Sequence, residues 1–313
     1  MTEDIFGNKI IEKPIEVNIY ADEIFAKKCP CYGHNWHYIG IIVEDLRNPL
    51  LSEIIRERFC NNFDASSLYF EKNNKQVHWS EIRTADVKNI CKRWFEYILN
   101  TSMSSERFYF YILGLNDNFL NKEEFDADND FNSKYNKFFR TTINYALKCF
   151  FGNKKIIIKN VYHEQGQQQH HKYFPWHSIY KLGDEPKFSF ETKEIFFLQK
   201  DHKIDEKSNL IQLCDCLLGA VTSIIHGIED SKSASYRREL LNLILPLVKR
   251  MIVEPYNKNS SYKHANRIMI RFFPKQKSDI GDPQRYMNQF YTNRRLKYEE
   301  DNNGQGSFEF KQI

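Results

Sequence analysis

An aspartate lies inside the most apolar segment of this 313-residue chain. Asp215 belongs to the segment 209–225, NLIQLCDCLLGAVTSII, whose other residues predict a buried helix. A buried, ionised carboxylate is costly unless it is paired or binds a metal. Polar or small residues recur every three or four positions and form one narrow stripe on this helix: Gln212, Asp215, Gly219 and Thr222. We expect the stripe to face a polar cavity in which the carboxylate could hold a hard cation.

The composition is that of a folded protein with a large core. Hydrophobic residues make up 41% of the chain and aromatic residues 15%, while Gly and Pro number only 12 and 9, which excludes disordered, fibrous and repetitive classes. Seven cysteines, an odd number at irregular spacing, argue against a disulfide framework. We find no signal-peptide segment and no apolar run of membrane-spanning length, so we expect a cytoplasmic protein without a membrane partner.

Positive charge is concentrated in the last quarter of the chain. Residues 231–313 contain 16 Lys and Arg against 8 Asp and Glu, whereas residues 1–230 contain 29 against 33. We therefore predict a core, residues 1–230, and a basic helical or irregular extension, residues 231–313, that could hold nucleic acid. The residues expected to contact phosphates are Arg267, Arg271, Lys275, Arg294 and Arg295. A solvated basic surface, a protein partner or a homo-oligomer stays open as an alternative.

Apolar runs and their spacing predict alternating strands and helices. Alternation in 15–21 and an apolar run in 36–43 predict a β-hairpin. Further strands are predicted at 107–113, 155–161 and 195–198, and further helices at 50–63, 84–99, 133–151 and 235–253. This order predicts an α/β fold, a mixed sheet with helices on its faces. The first strand would end at Asp22 and the fourth near Glu164, so these acids could meet at one edge of the sheet.

Carboxylates from distant segments could therefore form a metal site. Asp22, Glu164 and Asp215 supply the hard oxygen ligands that Mg²⁺ and Mn²⁺ take in proteins. Two such ions about 4 Å apart can activate water and stabilise the leaving oxygen in phosphodiester cleavage. Asp117, just past the third predicted strand, is a rival to Glu164. The alternative for each acid is an ordinary solvated or salt-bridged carboxylate.

Several polar residues could support such a site. Glu23 or Glu81 would complete the shell of a second ion, and Gln212 would orient the helix carboxylate or a bound water. His78 or His163 could assist proton transfer. His163 precedes an acid in a predicted strand, so its side chain should point to the opposite face of the sheet.

Two cysteines and two histidines lie within nine residues of one another. This set resembles the ligands of a zinc site: Cys29, Cys31, His34 and His37. The spacing is not that of a standard zinc finger, and so short a segment leaves little chain to wrap a tetrahedron. We therefore expect a turn with ordinary thiols and surface imidazoles, and no zinc.

Four segments carry a resemblance to a known family. The segment 20–23, YADE, closes the first strand, and 38–42, YIGII, follows as an apolar second strand. The segment 210–219, LIQLCDCLLG, is similar to a closing-helix pattern Leu-Gln-Leu-Ala-Asp-x-x-x-Gly. The segments 76–82 and 155–164 are similar to a polar connection and to a middle strand that ends in an acid. Over residues 15–228 the chain thus resembles a ribonuclease-H-like family catalogued as "domain of unknown function 3800".

The resemblance implies a ribonuclease-H-like fold and a two-metal nuclease site at Asp22, Glu164 and Asp215, with Mg²⁺ or Mn²⁺ as cofactor. Two departures matter. Ile24 and Phe25 stand where Ser or Thr and Gly usually follow the first acid, and Glu164 stands where Asp is common. The altered turn keeps open an alternative, a catalytically silent subunit of the same fold that binds nucleic acid or protein. A defence or toxin-like effector would be a biological context for the nuclease.

Overall fold

The computed structural model describes most of the chain, with gaps. The described residues are 13–28, 35–60, 64–101, 108–120, 131–166, 169, 174, 186–192, 194–226, 234–253, 267–273, 296–300 and 306–310.

Seven strands form one mixed sheet. The strands of the described residues are β1 Ile15–Lys28, β2 Asn35–Asp45, β3 Phe108–Asn116, β4 Ile156–Glu164, β5 Phe188–Phe190, β6 Ile195–Leu198, β7 Ile268–Phe273, β8 Leu296–Glu300 and β9 Gly306–Phe310. Across the main sheet the order is β5, β4, β1, β2, β3 and β7, and β6 pairs with the second half of β4. β2 is antiparallel to β1 and β3, whereas β4 is parallel to β1 and β7 is parallel to β3. β8 and β9 form a separate antiparallel pair.

Helices cover both faces of the main sheet. The α-helices of the described residues are α1 Leu51–Phe59, α2 Leu68–Asn73, α3 Ala85–Thr101, α4 Phe131–Phe151, α5 Ser208–His226 and α6 Ala234–Val253, and short 3₁₀ turns lie at Trp79–Glu81 and Asp117–Phe119. Buried residues of α1, α3, α5 and α6 share one core with one face of the sheet. Buried residues of α4 share a second core with the opposite face. The predicted α/β class, a mixed sheet with flanking helices, is confirmed.

Side-chain alternation decides which residues of each strand meet which core. In β1, Tyr20 packs with the core around α5, whereas Ile19 and Ala21 pack with the core around α4. All nine residues of β3 are buried, as expected for a strand that has neighbours on both edges and helices on both faces. Period-two alternation in β1 therefore assigns Asp22 to the α5 face and Glu23 to the α4 face.

α5 is buried along its whole length. By length and mean hydropathy, 1.5, it could cross a membrane, and it is the one helix of the described residues that meets this test. The expectation that no apolar run reaches such a length was therefore wrong. Because all of α5 is buried between the sheet and its neighbouring helices, this is weak evidence for a membrane span.

Several predicted boundaries need correction. β1 does not end at Asp22 but continues to Lys28, because the arm of the hairpin keeps pairing with β2. Asp22 thus lies in mid-strand, opposite Gly40. The helix predicted at 50–63 ends at Phe59, where Cys60 takes a left-handed backbone conformation with φ of 49°.

Parts of the predicted C-terminal extension pack within the main sheet. α6 contacts α3 and α5, and it continues through Pro246. β7 pairs with β3 along Phe110–Leu115 and completes one edge of the sheet. The expectation of a helical or irregular extension missed the strands β7, β8 and β9. A domain boundary at residue 230 stays a prediction.

Candidate carboxylate site

Two strand acids lie side by side on the sheet face that α5 covers. β1 and β4 are parallel, and Ala21 pairs with His163, so the next residue of each strand, Asp22 and Glu164, are neighbours. Both acids follow residues whose side chains point to the α4 face. Alternation therefore directs the two carboxylates to the α5 face, where Asp215 also lies.

A lysine ammonium joins the three acids. Lys200 Nζ lies 2.8 Å from Glu164 Oε2, 3.2 Å from Asp22 Oδ2 and 3.4 Å from Asp215 Oδ1. The lysine side chain is 5% exposed, so its charge is almost fully removed from water. We call these four residues the carboxylate site. Three segments that are distant in sequence thus converge on one cationic position, as the prediction for Asp22, Glu164 and Asp215 required.

Burial and crowding shift the protonation of this site. Burial raises the pKa of Asp22 well above 3.8, and the neighbouring carboxylates of Asp215 and Glu164 add to the rise, although Lys200 opposes it. Burial also raises the pKa of Glu164, but the charge of Lys200 and a hydrogen bond with Asp22 together lower it by more. The pKa of Glu164 therefore lies below 4.5. Burial lowers the pKa of Lys200, yet the carboxylates outweigh it and hold that pKa well above 10.5. One ammonium therefore faces more negative charge than it can neutralise.

The helix carboxylate is held by the segment that precedes α3. The backbone N–H of Trp79 donates to Asp215 Oδ2 at 2.6 Å, and His78 Nδ1 lies 3.3 Å from the same oxygen. The imidazole of His78 is 35% exposed, so this histidine is the more open side of the site. Its Nδ1 also lies 3.1 Å from Ser80 Oγ. The structure thus brings His78 to Asp215, as the sequence prediction required.

The polar stripe of α5 faces this same segment and not an open cavity. Gln212 accepts from the backbone N–H of Val77 at 3.0 Å, and Ser223 accepts from the indole N–H of Trp79 at 3.1 Å. A Cβ on Gly219 would lie 2.2 Å from the Trp79 ring, so only glycine admits the indole there. The stripe is therefore the surface on which the segment 77–79 packs. One oxygen of the Asp215 carboxylate, Oδ1, faces Lys200.

The hydrogen bonds of Gln212 in the described residues go to partners other than Asp215, so the structure shows no direct orientation of that carboxylate, and the predicted role towards a bound water stays a prediction. Gln212 Oε1 accepts from Arg58 Nη2 at 2.6 Å as well as from Val77, and its Nε2 donates to the Lys200 carbonyl at 3.3 Å. The Arg58 guanidinium, which is fully buried, also donates to Asn209 and to two backbone carbonyls. Gln212 therefore fixes the backbone on both sides of the site.

Glu23 lies on the opposite face of the sheet. Its Oε2 is 3.0 Å from His163 Nε2 and 3.2 Å from the Tyr135 hydroxyl, which also lies 2.6 Å from His163 Nε2. Burial lowers the pKa of His163, but Glu23 more than compensates and raises that pKa above 6.5. This back-face pair is separated from the carboxylate site by the sheet itself. Glu23 is thus not placed to complete a metal shell there, while His163 points away from Glu164 as alternation predicted.

Other predicted residues lie elsewhere. Asp117, the rival acid, lies 3.9 Å from His37 Nε2, and Glu81 is exposed in the 3₁₀ turn. Arg267 is 6% exposed, which removes it from the surface expected to contact phosphates, and Arg271 is half-buried in β7. Two groups of predicted residues fall outside the described residues: Lys275, Arg294 and Arg295 of the basic set, and Cys29, Cys31 and His34 of the zinc-like set.

Sequence reasoning missed Lys200. The residue lies two positions after β6, and β6 runs parallel to β4 with Leu198 opposite Glu164. A polar residue just beyond the carboxyl end of a strand was the available signal, the same signal that singled out Glu164. Nothing in the sequence pattern distinguished this lysine from a solvated one.

The donor chemistry of the site suits a hard cation, but the acids now surround an ammonium. Within the part of the chain that the structure describes, no group of His, Cys, Asp or Glu side chains is arranged as a ready metal site. The convergence of three carboxylates on one cationic position nevertheless matches the all-oxygen ligand sets of Mg²⁺ and Mn²⁺. Asp22, Glu164 and Asp215 are thus the residues that would hold such an ion.

Comparison with known proteins adds no assignment. No protein-family model matches this chain, and no curated protein matches it. The resemblance drawn from the sequence therefore rests on the segments quoted for it.

Proposed function

We propose that the protein is a divalent-metal-dependent nuclease that hydrolyses phosphodiester bonds at the carboxylate site. The observation that carries this proposal is the convergence of Asp22, Glu164 and Asp215, from β1, β4 and α5, on one position that holds a single ammonium. Burying three acids against one base is costly, and proteins keep such clusters mainly where they bind metal or perform acid–base chemistry. A ribonuclease-H-like arrangement of the sheet is part of the same proposal.

The residues have separable roles in this proposal. Asp22, Glu164 and Asp215 would hold Mg²⁺ or Mn²⁺, which when bound supplies Lewis acidity for water activation and for the leaving oxygen. The Trp79 N–H fixes Asp215 Oδ2, so the remaining oxygen stays directed at the site. His78 holds its Nδ1 towards Asp215 and has a partly exposed ring, so its Nε2 could pass a proton between substrate and solvent.

The substrate class follows from charge. The last quarter of the chain has twice as many basic as acidic residues, which favours a polyanion. Burial of Arg267 leaves Arg271, Lys275, Arg294 and Arg295 as the predicted contacts to nucleic-acid phosphates. The carboxylate site is the place where the backbone of such a polymer would be cut.

A second candidate, a binding subunit that cuts nothing, is favoured by Lys200. The ammonium occupies the cationic position and contacts all three acids, as a structural ion cluster would. Nucleic-acid binding that needs no divalent ion and yields no products would support this candidate.

Asp215→Asn tests the nuclease directly. Asparagine can still accept from the Trp79 N–H, so the fold should persist, while the charge that faces the cation is lost. We expect cleavage of single- and double-stranded DNA and RNA, with Mn²⁺ or Mg²⁺ present, to fall by more than about 100-fold, because even outer-shell changes at metal sites cost roughly 10–100-fold. Asp86→Asn, in the first turn of α3, is the matched control and should cleave like the wild type. Undiminished cleavage by a folded Asp215→Asn protein would refute the assignment.

A further inference from the structure

The backbone of Lys200 is held in place by its neighbours. The backbone carbonyl of Lys200 accepts from the side-chain amides of Gln76 and Gln212, one from each segment that borders the site. Ser208, at the start of α5, donates to the neighbouring Gln199 carbonyl at 2.6 Å. With its backbone held from several sides, the lysine has only its four-carbon stem free to move.

The ammonium and a divalent ion would need the same oxygens. Nζ lies 2.8–3.4 Å from one oxygen of each acid, whereas Mg²⁺ binds oxygen at about 2.0–2.1 Å and Ca²⁺ at about 2.3–2.6 Å. An ion at that distance from the three acids would stand where Nζ now stands. Two cations cannot share this position, so metal and lysine exclude each other.

We propose that Lys200 is a tethered cation that fills the carboxylate site in the absence of metal and must swing out before a divalent ion can bind. This inference rests on the metal site of the proposed function. Lys200 is then a positioning residue, because its charge holds the three acids together and offsets the repulsion among them, which would otherwise destabilise the fold. The exit lies on the side of Glu164 and of His78, which borders the site, because their side chains are 28% and 35% exposed.

Removing the ammonium should tighten metal binding. Lys200→Met keeps the length of the stem and deletes the charge, so a divalent ion no longer has to displace a competitor. We expect the calorimetric Kd for Mn²⁺ to fall by roughly 10- to 100-fold, within the range typical of coupled binding. Lys203→Met, an exposed neighbour in the same segment, should leave the Kd unchanged. Equal Mn²⁺ affinity in the wild type and Lys200→Met, or no Mn²⁺ binding by either, would overturn the proposal.

A second measurement uses the wild-type protein and does not depend on how well the variant folds. Acetic anhydride acetylates accessible amines, and the Lys200 amine is buried in the structure. Peptide mass spectrometry should show little acetylation of Lys200 without metal and at least a severalfold increase with saturating Mn²⁺, while Lys203 stays equally reactive. If Mn²⁺ binds but Lys200 remains protected, the ion binds without displacing the lysine, and the proposal is wrong.

These readouts separate the inference from the nuclease proposal. Neither measures cleavage, so displacement of Lys200 by Mn²⁺ in a protein that cuts no nucleic acid would uphold the inference and refute the nuclease. Metal-dependent cleavage with Lys200 still protected would do the reverse.

Discussion

Replacement of Gly219 by Ala tests whether the segment 77–79 packs on the polar stripe of α5. A methyl at this position would lie 2.2 Å from Trp79 Cγ, 2.3 Å from Cδ1 and 2.7 Å from Cβ. Two of these atoms belong to the rigid indole and the third adjoins the backbone, so no rotation about a flexible chain end relieves the overlap. The whole Trp79 residue would have to move away from α5.

Moving Trp79 has a cost that can be estimated from its contacts. Overpacking a close-packed site costs about 1–3 kcal/mol. Trp79 would also lose its backbone hydrogen bond to the Asp215 carboxylate and its indole hydrogen bond to Ser223, together worth about 2–4.5 kcal/mol. Alanine favours the helix over glycine by about 1 kcal/mol. The net loss in the free energy of unfolding should be about 2–6.5 kcal/mol, a large part of the usual stability of a domain.

Urea unfolding followed by circular dichroism would measure this loss. Gly40→Ala is the matched control, because a Cβ there would meet Leu218 methyls and Cys214 Sγ at 3.2–3.4 Å, contacts that small side-chain shifts can relieve. We expect the Gly219 variant to unfold at a much lower urea concentration than the Gly40 variant. A Gly219→Ala protein as stable as the wild type would show that the indole does not rest on this glycine.

Three further substitutions test how the site is supported. Arg58→Met removes four hydrogen bonds of a buried guanidinium and should cost about 3–5 kcal/mol in urea unfolding; a loss below 1 kcal/mol would contradict the contacts. His202 lies beside Gln212, with its Nδ1 3.5 Å from Gln212 Nε2. Burial and the Arg58 charge lower the pKa of His202 to about 4, so the stability that its neutral form provides is present above pH 6.5 and is lost as the pH falls towards 4. As the pH is lowered from 7 to 4, the free energy of unfolding of His202→Gln, measured in urea, should therefore decrease less than that of the wild type. An equal decrease in both proteins would refute this. Glu23→Gln weakens the contact with His163 and should lower the free energy of unfolding by about 1–3 kcal/mol. It should change the Kd for Mn²⁺ by less than about twofold, and a large rise in that Kd would show that Glu23 contributes to metal binding.

Much of the fold could be predicted because apolar residues recur in the sequence with the period of the strand or helix that buries them. The alternation of 15–21 and the unbroken apolar run that became β3 both predicted strands, and the segment around Asp215 predicted a buried helix. The same reasoning brought Asp22, Glu164 and Asp215 towards one another. It worked because an acid that interrupts an apolar pattern is rare, and the α/β order limits where such acids can meet.

Other features of the site depend on contacts that have no local pattern. Lysines are common on surfaces, so the position of Lys200 just beyond a strand did not distinguish it from a solvated lysine; only the pairing of β6 with β4 directs it over Glu164. The partner of the α5 stripe, the segment 77–79, is too short and irregular for periodicity to find. The continuation of β1 beyond Asp22 depends on pairing with β2, and the register of that pairing shifts between Ile24 and Lys27. The apolar alternation breaks at the acids, so the sequence did not indicate that the strand continues.

The two faces of the sheet explain why adjacent residues have different roles. One step along β1 separates Asp22 from Glu23, and one step along β4 separates Glu164 from His163, so each strand places one residue on each face. On the α5 face the neighbours are two acids, which repel and need a cation between them. On the α4 face the neighbours are an acid and a histidine, which attract and hold β1 and β4 together at the same point. The back-face attraction therefore opposes the front-face repulsion across a single pair of strands, and it would hold the strands together during the displacement of Lys200 that we propose.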